Sequence, residues 1–265
     1  MFDKFNYGFA DVKAMLKNYS IALTLGWQDI RLRYRRSKIG PFWITISTGI
    51  MVAMIGIIFG QALSMPMQDY LPFLSAGLIL WTFISSSINE GSSAFIEASG
   101  MIRQLAIPMS TYPVRVLVRN AVILGHNIII IPIVLLIVGK PLTWNVLFLI
   151  PGFLIVVINV FWISLVSGIL CTRFRDMPSI VSNVIQVFFY LTPIIWIPSA
   201  LTPRTANLIV EPNPFYHLLE IIRGPVLGYC PPAFSWLVTI LIAVIGLVLS
   251  FAFFGKFKDR IAYWV

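Results

Sequence analysis

Charge along this chain is gathered into clusters separated by long uncharged runs. Six runs of at least 20 residues contain no Asp, Glu, Lys or Arg: 39–68, 70–89, 120–139, 141–172, 177–203 and 224–255. The next longest such run has 11 residues. About 20 helical residues, rising roughly 1.5 Å each, cross a hydrocarbon core about 30 Å thick. The pattern therefore predicts an all-α integral membrane protein with six transmembrane helices. Gly, Pro and Ser inside the runs do not argue against this, because neighbouring helices can satisfy the freed backbone groups.

The segments between the runs carry their own patterns. Before the first run, Leu23, Trp27, Ile30 and Tyr34 fall at spacings of four, three and four, one stripe of a helix. Asp29, Arg31, Arg33, Arg35 and Arg36 occupy its other faces, and Gly40-Pro41 ends the pattern. This predicts an amphipathic helix lying in the membrane interface with its arginines toward phosphates; a plain basic anchor fits as well. Residues 91–108 are longer than a connector needs and hold Phe95, Met101 and Leu105. They read either as a short helix that docks on a partner or as a solvated hairpin. Residues 198–232 contain seven of the 17 prolines. Within them Phe215, Leu218, Leu219 and Ile222 make a helical face, with His217, Glu220 and Arg223 elsewhere. A short re-entrant outer helix follows, acting as a gate or as a packing plug. At residues 176–178, Asp-Met-Pro reads as a helix N-cap and first turn.

Composition sharpens the class. Of the 265 residues 58% are hydrophobic and 11% charged, against roughly 25% charged in soluble domains. Mean hydropathy is +0.90. A soluble enzyme and a disordered chain are both excluded. The net charge of +9 speaks to loop orientation rather than to nucleic acid. With both ends cytoplasmic, 16 Lys and Arg lie inside and only Lys140, Arg204 and Arg223 outside. The positive-inside rule selects that orientation. Charge interrupts the first 38 residues and no apolar h-region appears, so the first span is expected to direct insertion. The whole chain, 1–265, reads as one membrane domain: a cytoplasmic segment 1–38, a six-span bundle 39–255 and a cytoplasmic tail 256–265.

Catalytic chemistry is sparse. Cys171 and Cys230 are expected on opposite membrane faces, and metal-ligand spacing is lacking. There is no GxxxxGK[ST], GxSxG or HExxH, so no catalytic residue, metal or bound cofactor is expected. If ATP drives the protein, another subunit binds it. An intramembrane enzyme would need converging polar groups; His126 with Asn127 and Ser85–Ser87 is the nearest set. An ATP-independent flippase is a further alternative. The 37 aromatics (Phe, Trp and Tyr) include a set at interfaces, explained by aromatic belts. A deeper set contains Phe59, Trp81, Phe83, Phe161, Trp162, Phe188, Phe189 and Tyr190. Aromatic faces can stack on sugars, though for any single ring core packing or lipid contact is the commoner role.

Five blocks in order resemble the membrane subunit of type-2 ATP-binding-cassette exporters of polysaccharide. They are DIRLRYRRSKIGPFW (29–43), YLPFLSAGLILWTFISSSINEG (70–91), MIRQLAIPMSTYP (101–113), RFRDMPSIVSNVIQVFFYLTPIIW (173–196) and NPFYHLLEIIRGPVLG (213–228). Residues 1–28 are less well covered. The resemblance implies a homodimer of this chain above two separate ATPase subunits, which bind the ATP and Mg. It implies a bacterial inner-membrane location with both termini cytoplasmic. The expected substrate is a lipid-linked polysaccharide, foremost an undecaprenyl-diphosphate-linked O-antigen; capsule and teichoic-acid exporters share the blocks. By the same resemblance, Trp27, Arg31, Arg33, Tyr34, Arg35 and Arg36 form the interface helix and meet the diphosphate or membrane lipids. Glu97, Met101 and Arg103 belong to a cytoplasmic coupling helix against the ATPase. Phe59, Trp81, Phe83, Phe188, Phe189, Tyr190 and Trp196 would line the path. Asn213, Pro214, Phe215, Tyr216, Glu220 and Arg223 would form the outer gate.

Overall fold

The chain begins with two helices that belong to no uncharged run, α1 (Phe2–Lys17) and α2 (Tyr19–Tyr34). The computed structural model describes residues 2–35, 40, 42–62 and 65–265, the side chains of Phe2 and Ala200 excepted. Arg36 lies outside the described residues. The first long apolar helix is α3 (Phe42–Ala62), followed by α4 (Met67–Ser92). Two short turns, α5 (Ala94–Glu97) and α6 (Ser99–Gln104), fill the next connection. The third run becomes α7 (Thr111–Asn127) continued by α8 (Ile130–Val138), which Gly139 ends at φ +72°. A 3-10 turn (Trp144–Phe148) leads into α9 (Leu149–Arg173). Then come α10 (Met177–Leu191), α11 (Pro203–Ile209), α12 (Pro214–Leu227) and the 32-residue α13 (Ala233–Trp264).

Among the described residues, five helical segments are long and apolar enough to span a membrane, one fewer than the six expected. The difference lies in run 177–203. Its helix, α10, has 15 residues, about 22 Å, short of the roughly 30 Å hydrocarbon core. Pro193 follows at once and cannot extend the helix. Yet the chain must return here. Asn159 of α9 bonds the Thr239 carbonyl, Trp162 lies against Gly246, and Leu165 and Ile169 cluster with Phe254. Helices α9 and α13 therefore run parallel, and residues 174–232 bring the chain back. They do so as α10 plus a non-helical stretch, Thr192 to Ile197, that meets the first half of α4 at Tyr70 and Gly77. Non-helical backbone at membrane depth is tolerated where protein covers it, and Thr192, Pro193 and Ile194 are buried.

Helix α4 is the central element. It packs on α3, α7, α8, α9, α10 and α12, and its middle is buried without a break from Pro72 to Trp81. Helix α1 lies along the second half of α13, from Leu247 to Asp259. Glycines make this possible: a β-carbon at Gly8 would meet the Phe251 carbonyl, and one at Gly255 the Lys4 carbonyl. Asp11 clamps the junction. It accepts from the Ser110 amide (3.0 Å) and hydroxyl (2.7 Å) and pairs with Lys258 at 2.8 Å. Both chain termini thus share one end of the bundle with α2, α5 and α6, hereafter the basic end. Helix α12 and the α11 region lie at the distal end.

The face of α2 that packs differs from the expected stripe. Ala22, Gly26 and Ile30 are buried, whereas Leu23 and Trp27 are exposed. Helix α7 comes so close that a β-carbon at Gly26 would meet Arg115 and Val118. Small side chains set this contact because they let two backbones approach; hydrophobic periodicity is blind to them.

Candidate functional site

At the basic end, five charged side chains from three helices form one network. Asp29 of α2 accepts from the Nε and Nη2 of Arg115. Arg119, one turn further along α7, donates Nη1 to Asp29 at 3.2 Å and Nη2 to Glu90 at 2.8 Å. Glu90, in the last turn of α4, also accepts from Asn120 (2.8 Å) and from Arg33 (3.3 Å). Arg119 is buried and Asp29 nearly so. Three guanidiniums against two carboxylates leave the cluster one positive charge in excess. Arg115 and Arg119 present the same helix face because they are four residues apart. The planar guanidinium of Arg119 can bond two carboxylates at once, which an ammonium does less well. The network ties α2 to α4 and α7 immediately before the α5–α6 turns.

Those turns are anchored by Phe95 and Ile102, both buried in a cluster with Tyr112, Leu165, Ile169 and Phe254. Of the expected coupling residues, Glu97 and Arg103 are exposed and Met101 is half-buried. Arg103 donates to the carbonyl of Val265. Met101 Sδ accepts from Arg115 at 3.5 Å, linking the turns to the network. Arg31, Arg33 and Arg35 are exposed and Tyr34 is partly buried.

Toward the distal end, a second polar group holds the broken return segment. Arg223 is among the most buried side chains. It donates to the Pro193 carbonyl at 2.6 Å, pairs with Glu220 at 2.7 Å and lies 4.0 Å over the Phe73 ring. Glu220 also accepts from Tyr229 at 2.5 Å. Burial, then the Glu220 charge and hydrogen bond, push the Tyr229 phenol up from its ordinary value, so it remains a donor. Asn213 caps α12, its Oδ1 accepting from the Phe215 amide at 3.0 Å, and its Nδ2 donates to Thr192 at 2.9 Å. Tyr70 donates to the Ile195 carbonyl at 2.6 Å. Two carbonyls freed by the break, those of Pro193 and Ile195, therefore find side-chain donors.

Between these groups lies an aromatic cluster. The Trp81 ring sits 5.9 Å from Phe189 and 5.5 Å from Phe215, and Phe188 sits 4.8 Å from Phe215. Tyr190 is exposed, 5.3 Å from Phe189, and its carbonyl accepts from Trp196 Nε1. Phe215, expected at the gate, thus joins rings expected along the path. Two rings stand apart. Phe83 lies about 200° round α4 from Trp81 and packs on Phe153; Phe59 is exposed on α3. Pro214 opens α12 and Tyr216 is partly buried. The outer-gate set is mostly interior: Glu220 and Arg223 are not on an exposed face, so Arg223 does not count as an exposed distal charge. The Asp29–Arg115–Arg119–Glu90 network was not legible as a unit. Its one sequence signal is the pair of arginines four apart beside a run with almost no acids.

Comparison with known proteins agrees with this architecture. The family described as ABC-2 type transporter matches residues 22–227. An O-antigen export system permease of Klebsiella pneumoniae is 28% identical over 98% of this chain and 97% of its own. One from Myxococcus xanthus is 22% identical over 94% and 95%. A polysialic acid transport protein of Escherichia coli is 25% identical over 76% and 80%. With five long apolar helices, a broken sixth segment and a family match over most of its length, the chain belongs to the ABC-2 type transporter membrane family.

Proposed function

We propose that this chain is the channel-forming subunit of an ATP-driven exporter of lipid-linked polysaccharide. The observation that carries the reading is the near end-to-end similarity to O-antigen export permeases. The foremost substrate is an undecaprenyl-diphosphate-linked O-antigen. A capsular polysaccharide is the second reading, favoured by similarity to the polysialic acid transport protein. The chain sits in a bacterial inner membrane as one permease domain, with the basic end cytoplasmic.

Two copies form the path. Support comes from α3 and α10, which flank α4 and leave most of their outward faces uncovered; in α10 only Ile185 is fully buried. Phe188, Phe189 and Tyr190 offer aromatic faces to the passing glycan, backed by the buried rings of Trp81 and Phe215, and Arg31, Arg33 and Arg35 offer charge-assisted hydrogen bonds to its diphosphate. ATP and Mg belong to two separate ATPase subunits docked at Glu97, Met101, Arg103 and α2. Their binding energy shifts the channel only through contacts that differ between its states. The α2–α4–α7 network, touching the α5–α6 turns through Met101, is the rigid link that carries the shift. The test is deletion of the gene from its source strain. Loss of surface polysaccharide with undecaprenyl-linked glycan retained in the cell supports the reading; unchanged surface polysaccharide refutes it.

A further inference from the structure

At the distal end, between the α11 turn and the starts of α12 and α13, lies a concavity of about 480 Å³. That volume is within the range of small-ligand sites. Its walls combine the apolar surfaces of Val210 and Phe234 with three polar side chains, Asn207, Glu211 and Tyr216. None of these three side chains has a hydrogen bond or ion pair to another described residue. The frame behind them is built. His217 is buried, its Nδ1 3.0 Å from the Ser235 hydroxyl and its Nε2 2.8 Å from the Glu211 carbonyl. Its ring stands edge-on to Phe234 at 5.4 Å and to Tyr216 at 5.2 Å. His217 therefore fixes the turn bearing Glu211 against both helices, and with both nitrogens engaged it serves as a positioning residue.

A sugar ring has an apolar C–H face and a rim of hydroxyls. A carboxylate accepts from hydroxyls, an amide donates and accepts, and a phenol does both; an aromatic surface suits the C–H face. The lining carries all four. Its one charged member, Glu211, repels uronic or sialic carboxylates. We propose that this concavity is a sugar-binding subsite for a neutral sugar residue, engaging the glycan as it leaves the distal mouth. The proposal rests on the polysaccharide-export reading and adds where, and for which sugar class, the chain is held.

The experiment uses saturation-transfer NMR on the purified full chain in nanodiscs. The probes are methyl glycosides of glucose, galactose, mannose and rhamnose, with methyl glucuronide as the anionic control. Transfer is expected for at least one neutral glycoside, with at least fivefold less for the glucuronide. The double variant Asn207→Ala/Glu211→Ala, whose side chains hold nothing else, is expected to lose at least fivefold while melting at the wild-type temperature. No transfer from any neutral glycoside, or equal transfer to the double variant, overturns the subsite. The deletion strain separates the two claims. If it loses surface glycan while no glycoside binds, the subsite alone falls; if its surface glycan is intact, the export reading falls and takes the subsite's role with it.

Discussion

Arg119→Met removes the hub of the basic-end network while keeping much of the side chain's bulk. Arg119 bonds Glu90 at 2.8 Å and Asp29 at 3.2 Å, and is itself buried. Removing one partner of a buried ion pair costs about 3–5 kcal/mol. Here the loss is smaller, because Asp29 keeps Arg115 and Glu90 keeps Asn120 and the more exposed Arg33. A figure of about 2 kcal/mol follows for the docking of α2 on α7. At about 1.4 kcal/mol per tenfold, local opening of α2 rises roughly 30-fold. Hydrogen–deuterium exchange of the purified chain reads this directly, since exchange reports local opening. Amides near Ile30 are expected to exchange roughly 30-fold faster, with the α9–α13 contact unchanged. Arg119→Lys should recover only part of the protection, because an ammonium does not span both carboxylates as a guanidinium does. Protection of α2 within about threefold of wild type in Arg119→Met would refute the claim that this network fastens α2.

Other outcomes follow from the same structure. Arg223→Met leaves the Pro193 carbonyl without its donor and Glu220 with only Tyr229, and is expected to cost about 3 kcal/mol, read as a lower melting temperature in detergent. Tyr190→Ala, at an exposed ring, should slow glycan export with the melting temperature kept, whereas Phe83→Ala, opening a cavity against Phe153, should lower stability by about 3 kcal/mol or more; equal behaviour of the pair in export and melting assays would contradict the separate roles. Gly8→Leu cannot fit against the Phe251 carbonyl, so α1 should leave α13 and trypsin should cut sooner after Lys13 and Lys17. Glu97→Lys combined with Arg103→Glu should weaken recovery of the ATPase partner in affinity purification; full recovery would move the docking site elsewhere.

Most of the helical plan was legible because charge is costly in hydrocarbon and its absence marks spans. Charge counting misread the fifth run for a physical reason. The residues from Thr192 to Ile197 are as uncharged as a helix, but Pro193 breaks it and Arg223, thirty residues on, supplies the lost partner. No local pattern carries that pairing. The same limit explains α2: Leu23 and Trp27 are large apolar positions, yet Ala22 and Gly26 make the contact, since close approach depends on small size. The two arginines of α7 were visible, while their acids sit 86 and 29 residues away. The α5–α6 turns carry apolar residues in a polar loop, and one of them, Phe95, is buried and anchors the turns. The aromatic cluster was half-legible: Phe188 and Phe189 adjoin Trp81, but the Phe215 ring that completes it comes from α12.

The proposed division of labour, pathway from this chain and energy from a separate ATPase, is tested most directly by reconstituting the purified chain in proteoliposomes with fluorescent lipid-linked glycan, with and without its ATPase partner. Translocation is expected only when partner and ATP are both present. Translocation of the glycan by the chain alone, without nucleotide, would contradict it.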